Sequence, residues 1–192
     1  MPRNREFDYD QKLEEARNLF WKKGYHATSL NDLVDTLQIN RSSIYDAYGN
    51  KHSLFLKCLD SYIATKESQY RLAAGKGKSP LEAIRLIIKG IIKNMVFEAK
   101  TCMSVRTTFE LGKSDQQVQQ LLNNQAKNSV KLFSELLTQA RDQGEINPDK
   151  DPEIIAHFIV ASFGSLWNAD ILFNDKKLTQ KLTDHLINTI AS

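Results

Sequence analysis

Apolar residues recur every three or four positions along most of this 192-residue chain. That spacing places them on one face of an α-helix, whereas strands repeat every second residue. Only eight glycines and four prolines interrupt the pattern. The chain is therefore predicted to be all-α.

Three short helices and the start of a longer fourth are predicted in the first quarter of the chain. Each begins after a residue whose side chain can accept hydrogen bonds from the free N–H groups of a first turn. Helices this short bury little alone, so they are expected to pack on one another as a compact head. The candidate caps are Asp8 or Asp10, Thr28 or Ser29, Asn40, and Asn50.

The stretch AAGKGKSP, residues 73–80, is the best internal boundary. It combines two glycines with two lysines and restarts a helix with Ser79 as cap and Pro80 in the first turn. The predicted domains are therefore residues 1–72, with a linking helix, and residues 73–192.

Four long helices and one short one are predicted after this boundary. The helix from Leu81 is apolar nearly all round except for a basic stripe. The segment Ile154–Phe173 is long and apolar enough to suggest a membrane span. A central polar cluster and the absence of basic anchors in the preceding flank, DKDPE, favour a helix buried by protein on both sides, so no membrane partner is expected. A last helix over Lys177–Ile190 spaces its leucines four apart.

Composition excludes little by itself. The net charge is +3, from 26 basic and 23 acidic residues, so any case for DNA binding rests on the placement of charges.

Two cysteines do not make a disulfide framework or a zinc site, no signal peptide is evident, and a reducing cytoplasm fits. No catalytic or metal-ligand spacing appears, so neither an enzyme nor a cofactor is predicted. A small helical enzyme and a membrane-associated adaptor remain the alternatives.

The second and third helices, residues 29–37 and 41–48, are joined by a tight turn and suggest a helix-turn-helix. The second helix of such a pair can enter a DNA major groove. Arg41 can then read guanine or grip a phosphate, and short Ser42 and Ser43 allow close approach. Tyr45 and Tyr48, three apart on one face, can reach the sugar-phosphate backbone.

Lys51 begins the fourth helix, where its charge adds to that of the helix N-terminus and suits a phosphate. Thr28 or Ser29 offers a similar site at the second helix. The alternative interpretation is that the tyrosines are core residues, the serines ordinary helix starters and the lysine a solvated charge.

Residues 13–63, including ARNLFWKKGYHATSLNDLVDTLQINRSSIYDAYGNKHSLF, resemble the DNA-binding domain of the TetR family of bacterial transcriptional regulators. The resemblance implies a homodimer whose heads bind a near-palindromic double-stranded operator. It also implies that a small molecule in the C-terminal domain releases the DNA. The family's contact positions fall on Thr28, Arg41, Ser42, Ser43, Tyr45, Tyr48 and Lys51.

The same resemblance implies that the last two helices pair with those of a second subunit. Small residues on one face of Ile154–Phe173 would let a partner helix approach closely. An interface within one chain is the alternative. The predicted dimer residues are Phe158, Ala161, Gly164, Ser165, Asn168, Leu182 and Leu186.

The predicted effector is apolar or amphipathic, because apolar helices can enclose a cavity with few polar groups. Cys102 is interpreted either as a sensor thiol or as a packed cysteine, and Arg106 either as an anion clamp or as half of a surface pair with Glu110. Glu110 or His157 is a candidate polar anchor for the ligand, and the alternative for His157 is a core histidine. The predicted pocket residues are Ile88, Ile92, Met95, Cys102, Arg106, Phe109, Phe133 and His157.

Overall fold

The computed structural model describes residues 7–97 and 102–191, with the side chains of 94–97 outside that description. This part of the chain contains nine helices and no strands, which confirms the all-α prediction. The helices are α1 Tyr9–Lys23, α2 Leu30–Leu37, α3 Arg41–Tyr48, α4 Lys51–Ala74, α5 Pro80–Phe97, α6 Met103–Leu111, α7 Gln116–Asp142, α8 Pro152–Phe173 and α9 Lys176–Ala191.

Side-chain caps set the beginnings of most helices at the predicted positions. Asp8, not Asp10, accepts from two backbone N–H groups of α1, and Ser29, not Thr28, forms a capping box with Asp32 at α2. These caps satisfy donors that have no partner inside the helix. The side chains that accept in the same way at α3, α4, α7 and α8 are Asn40, Asn50, Asp115 and Asp151.

The turns of the head depend on residues with positive φ. Gly24 at the end of α1 has φ 90° and Gly49 at the end of α3 has φ 81°, values that glycine adopts without steric cost. Gln38 takes φ 53° between α2 and α3, a left-handed conformation that closes the tight turn.

Two apolar cores run through the molecule. The first lies among α1, α2, α3 and the first half of α4, and it also takes in Met103, Leu111 and Val118 from α6 and α7. The second lies among α5, α7, α8 and α9. The helix α4 joins them, because Tyr70, Ala73 and Ala74 at its end pack on the second core. The head and the C-terminal helices are therefore connected through α4, whose first half lies in the first core and whose end packs on the second.

The helices α5 and α8 differ in how fully one chain covers them. On α5, Ile84, Ile87 and Ile88 are buried while the predicted basic stripe of Arg85, Lys89 and Lys93 is exposed. On α8, Ala156, Ile159 and Leu166 are buried, but the opposite side is exposed. The prediction that protein covers α8 on both sides is thus met on one side only within a single chain.

Candidate nucleic-acid interface and ligand cavity

The exposed surface of α3 is held in place by its buried residues. Ile44 is fully buried and Tyr48 nearly so, and both lie in the core of the head. The side chain of Asn40 accepts from the backbone N–H of Ser43 and so fixes the first turn. Because α3 is anchored at both ends, its outward face is presented in one orientation.

That outward face carries most of the predicted DNA contacts. Arg41 and Ser42 are exposed, Ser43 is half-buried, and Tyr45 is 46% exposed. The guanidinium of Arg41 donates to the side-chain oxygen of Asn31 on α2. Asn31 was not predicted as a site residue, and its role in holding Arg41 depends on the angle between the two helices.

Two predicted DNA contacts are corrected because their side chains are buried. Tyr48 is 2% exposed, its hydroxyl donates to the backbone oxygen of Tyr9 at 2.7 Å, and the two rings are 4.5 Å apart. Thr28 is fully buried, and its hydroxyl donates to the carbonyl of Gly24 at 2.6 Å. Both residues position the head instead of facing DNA.

Lys51 occupies the first position of α4, beside the N-terminus that was predicted to bind phosphate. Its Nζ lies 4.4 Å from the ring centroid of Tyr25. Burial lowers the pKa of Lys51, while the nearby carboxylates of Glu110 and Asp32 oppose that shift. The ammonium is therefore held on an aromatic ring at the edge of the head.

Helix α6 forms hydrogen bonds with the end of α1 and with the turn that follows it. The guanidinium of Arg106 donates to the carbonyls of Trp21, Lys22 and Lys23 at 3.2, 3.0 and 2.6 Å, so it caps the end of α1. The carboxylate of Glu110 accepts from the backbone N–H groups of Tyr25 and His26 at 3.1 and 2.7 Å. We call these two α6 residues, together with the end of α1, the α6 clamp.

A second contact joins the head to α7. His52 Nε2 lies 2.5 Å from a carboxylate oxygen of Asp115, whose other oxygen caps α7. Burial would raise the pKa of Asp115, but hydrogen bonds from the backbone N–H of Val118 and from His52 lower it below its usual value. The carboxylate is thus stabilised in its charged form between the two parts of the chain.

A cavity of about 460 Å³ lies behind α6 and opens between the head and the C-terminal helices. Its walls come from α1, α4, α5, α6, α7 and α8. The described lining residues include Trp21, Tyr62, Lys66, Gln69, Tyr70, Ile87, Ile91, Lys93, Cys102, Ser104, Val105, Phe109, Leu122, Gln125, Ser129, Val160 and Phe163. A space of this size is typical of a small-molecule site.

The structure brings two of the predicted pocket residues, Cys102 and Phe109, to this cavity. Arg106 turns away from it and belongs to the α6 clamp. The other predictions are corrected by burial or exposure: Ile88, Ile92 and Phe133 pack inside the second core, and His157 is exposed on α8. The side chain of Met95 lies outside the described residues.

The α4 side of the cavity was missed by the sequence analysis. Tyr62, Lys66 and Tyr70 line it from positions four apart, which places them along one side of α4. Two tyrosines eight residues apart on one side of a helix are a usable signal for a shared pocket. The lysine between them is more typical of a solvent-exposed face. Trp21 lines the cavity from the head itself, so the site touches both parts of the chain.

An exposed stripe of six residues runs along α8 with alternating spacings of four and three. This spacing is the one that keeps a seam facing a partner helix. Phe158, Ala161, Ser165 and Asn168, all predicted dimer residues, belong to it. The α8 stripe consists of Ile154, Phe158, Ala161, Ser165, Asn168 and Leu172, all exposed in the single chain.

The remaining predicted dimer residues, Leu182, Leu186 and Gly164, differ in their exposure. Leu182 on α9 is 37% exposed, whereas Leu186 is buried in the second core and is corrected. Residues spaced four apart drift about 40° around a helix at each step, so one such row cannot keep a single face. Gly164 is half-buried and lines the cavity. It therefore lies on the cavity side of α8 and does not belong to the exposed stripe.

Comparisons with known proteins agree with this arrangement. A family model described as "Bacterial regulatory proteins, tetR family" matches residues 13–58, and one described as "Tetracyclin repressor-like, C-terminal domain" matches residues 80–186. The chain is 34% identical over 169 residues to the HTH-type transcriptional regulator YezE of Bacillus subtilis (strain 168), which covers 86% of this chain and 87% of YezE. The chain belongs to the TetR family of bacterial transcriptional regulators.

Other similar proteins include a repressor related in sequence and two regulators with solved structures. The HTH-type transcriptional repressor ComR of Escherichia coli (strain K12) is 27% identical over 156 residues, covering 80% of this chain and 74% of ComR. A cysteine mutant of the TetR family regulator CifR, complexed with 26-bp operator DNA, superposes with a TM-score of 0.83 at 22% identity over 98% of both chains. The reduced form of Escherichia coli NemR gives a TM-score of 0.84 at 15% identity, covering 94% of this chain and 95% of that chain. These similarities confirm the predicted family and fold, and the family consists of transcriptional regulators, not enzymes.

Proposed function

We propose that this protein is a ligand-responsive transcriptional repressor that binds a near-palindromic operator as a homodimer in the cytoplasm. The observation that carries the proposal is the outward face of α3, which presents Arg41, Ser42 and Tyr45 at the exposed edge of a rigidly packed head. The head is the DNA-binding part, and the helices after residue 72 hold the second subunit. The effector site lies between the two parts, with Trp21 and α4 on one side and α5 to α8 on the other.

In this proposal α3 lies in the major groove, and its residues contact either base edges or the DNA backbone. Arg41, oriented by Asn31, reads a base edge, because a guanidinium can donate two hydrogen bonds to guanine. Ser42, Ser43 and Tyr45 contact the backbone or base edges beside it. Lys51 and the N-terminus of α4 bind a phosphate, where the helix dipole adds to the ammonium charge.

The second subunit covers the α8 stripe. Phe158 is 52% exposed, Ile154 64% and Leu172 67%, and large apolar side chains left open along one seam favour a partner surface. Ala161 and Ser165 at the centre of the stripe are small, so two α8 helices can approach closely there. Because α8 is also long and apolar enough for a membrane span, the test of this assignment must measure assembly in the absence of detergent.

The effector occupies the cavity and acts through α6. Cys102, Val105 and Phe109 face the cavity, while Arg106 and Glu110 of the same helix hold the end of α1. A ligand that favours a different position of α6 therefore changes the orientation of the head. Release of DNA follows only if the ligand binds the DNA-incompetent arrangement more tightly, by about 3 kcal/mol for a hundredfold change in operator affinity.

The decisive experiment is footprinting on the DNA that flanks the coding gene. An inverted repeat protected by the wild-type protein, with both half-sites bound together, is the expected result. Protection that does not depend on sequence, or binding of a single half-site as tightly as the full repeat, would contradict the proposal.

A further inference from the structure

The cavity and the α8 stripe meet on one helix. Four residues of α8 line the cavity, namely Val160, Ala161, Phe163 and Gly164. Ala161 is at the same time an exposed member of the stripe, and Gly164 lies three residues further on, about 60° around the helix. The edge of the cavity on α8 therefore coincides with the edge of the surface that the second subunit is proposed to cover.

Helix α6 continues this edge with an exposed aromatic ring. Phe109 lines the cavity and is 72% exposed, the largest exposed fraction of any large apolar side chain in the described part of the chain. Its ring stacks on that of Trp167 on α8, with centroids 5.8 Å apart and planes 24° apart. Ile171, one turn after Trp167, is 55% exposed and is followed by Leu172 of the stripe. An apolar surface thus connects the α8 stripe with the rim of the cavity.

The cavity is open to solvent along this rim in the single chain. Thr108 and Phe109 of α6, Ala126 of α7 and Ala161 of α8 all line it and are all exposed. Small-molecule sites usually bury most of the ligand's surface. Apolar surface left in water, on the ligand or on Phe109, gains nothing from the hydrophobic effect. A cover over the rim is therefore expected when the site is filled.

A second copy of this chain is the cover that the geometry favours. Its own α8 stripe is proposed to lie against the first one, and the small side chains of Ala161 and Ser165 let the two helices approach closely. Because the rim begins at Ala161, a helix seated there extends to the edge of the cavity. The four rim residues are uncharged, as is typical of the centre of an interface. Two-fold symmetry places both cavities in the same relation to the other subunit.

We propose that the second subunit forms a wall of the effector site by covering the rim between Phe109 and Ala161, so that a ligand in the cavity contacts both subunits. The inference rests on the proposed function, in which the cavity is the effector site and the α8 stripe is the dimer interface. A ligand that binds the completed site more tightly than the open one must also stabilise the dimer, because the coupling of two binding events is reciprocal.

The test measures the dimer dissociation constant with and without N-phenyl-1-naphthylamine, an uncharged dye that binds apolar cavities. Fluorescence-detected sedimentation of protein carrying a red fluorophore gives this constant without interference from the blue emission of the dye. The dye is expected to tighten dimerisation at least about tenfold. A dye bound to the exposed stripe of single chains would compete with the second subunit and weaken dimerisation. A dye in a cavity that one chain completes alone would leave the constant unchanged.

Phe109→Ala tests the rim in the absence of the dye. Dimerisation should weaken at least about tenfold, because each subunit loses an aromatic side chain that the other subunit buries. Leu72→Ala is the matched control, since Leu72 at the end of α4 is 65% exposed and belongs neither to the stripe nor to the cavity lining. It should dimerise as the wild type does. Circular dichroism checks that both variants are folded.

Gly90→Leu tests whether the dye acts from the cavity. Gly90 lines the cavity from α5, away from the stripe, and a Cβ added there would lie more than 4 Å from the described atoms of the neighbouring helices. The leucine side chain is therefore expected to fill part of the cavity without disturbing the fold. This variant should dimerise like the wild type and lose the response to the dye.

Four results would each overturn the proposal. They are a dimer that the dye weakens or leaves unchanged, a response to the dye that persists in Gly90→Leu, no binding of the dye to the dimer, and wild-type dimerisation of Phe109→Ala.

Two further measurements separate this inference from the proposed function. If Ser165→Arg is monomeric while Phe109→Ala dimerises as tightly as the wild type, the α8 interface stands and the shared site fails. If Ser165→Arg remains dimeric, the α8 interface is wrong and the shared site is wrong with it. If the dye tightens the dimer but leaves the operator complex intact, the shared site stands and regulation through this cavity fails.

Discussion

Two cations of the head are expected to play different roles on DNA: Arg41 reads a base and Lys51 binds a phosphate. Arg41→Ala should cost about 1–3 kcal/mol of operator affinity and relax discrimination at one base pair, because a bidentate contact is lost. Lys51→Ala should weaken binding to all sequences alike and flatten the salt dependence, since a phosphate contact carries no sequence information. Fluorescence anisotropy with singly substituted operators at several salt concentrations measures both effects. Equal losses on operator and random DNA for both variants would contradict the assignment.

Tyr45 and Tyr48 form a matched pair for the difference between a contact residue and a core residue. Tyr48→Phe should lower the free energy of unfolding by about 1 kcal/mol, because its hydroxyl bond to the Tyr9 carbonyl is lost in the core. Tyr45→Phe should leave stability unchanged and weaken operator binding. Urea unfolding and operator titration on both variants provide the measurement, and a stability loss confined to Tyr45→Phe would reverse our interpretation.

At the scale of single elements, the start of α2 depends on one carboxylate. Hydrogen bonding from Lys23 and from the backbone and hydroxyl of Ser29 lowers the pKa of Asp32 to about 2. A folded pKa below the unfolded value means that the stabilisation is present above pH ~4 and is lost as the pH falls toward ~2.

We therefore expect the free energy of unfolding of the wild type to fall more steeply between pH 5 and pH 3 than that of Asp32→Asn, a range that lies above the lowered pKa. Asp35→Asn removes an exposed carboxylate from the same helix and serves as the control. Urea unfolding at the two pH values tests this, and parallel behaviour of the wild type and Asp32→Asn would show that the cap does not matter for stability.

Helix α6 has one face in the cavity and carries the α6 clamp on the other, against the head. Arg106→Ala removes the cap of α1 and should reduce the free energy that couples effector and operator binding by about 0.5–2 kcal/mol, while effector binding to the DNA-free protein persists. Operator affinity with and without effector gives the coupling. Arg85→Ala, on the exposed edge of α5, is the control. A variant that is less stable but coupled as strongly as the wild type would reduce the clamp to a structural role.

At the scale of the whole molecule, the α8 stripe decides the assembly. Ser165→Arg places a long charged side chain at the centre of the stripe and should produce monomers, because a charge buried without a partner is costly. Operator binding should fall as well, since each half-site is then bound alone. Sedimentation without detergent measures the mass, and Gln180→Arg, exposed elsewhere on α9, is the control. A Ser165→Arg protein that remains dimeric would move the interface to another surface.

Local signals determined most of the fold. The caps Asn40, Asn50 and Asp151 and the glycine at position 24 act within a few residues of themselves, so the sequence alone placed the helix boundaries to within a residue or two. The periodicity of α5 likewise identified its buried and exposed sides. The family signature in the head needed nothing beyond the order of its residues.

Tertiary packing decided what the individual side chains do. Tyr45 and Tyr48 lie only about 60° apart around α3, and the position of α1 decides that one is open and the other buried. Arg106 became a clamp because α1 ends beside it, and Leu186 became a core residue because α9 packs on α5. The cavity joins residues from six helices that are distant in the sequence. Periodicity gives the faces of a helix, but the partner of each face is set only when the helices pack.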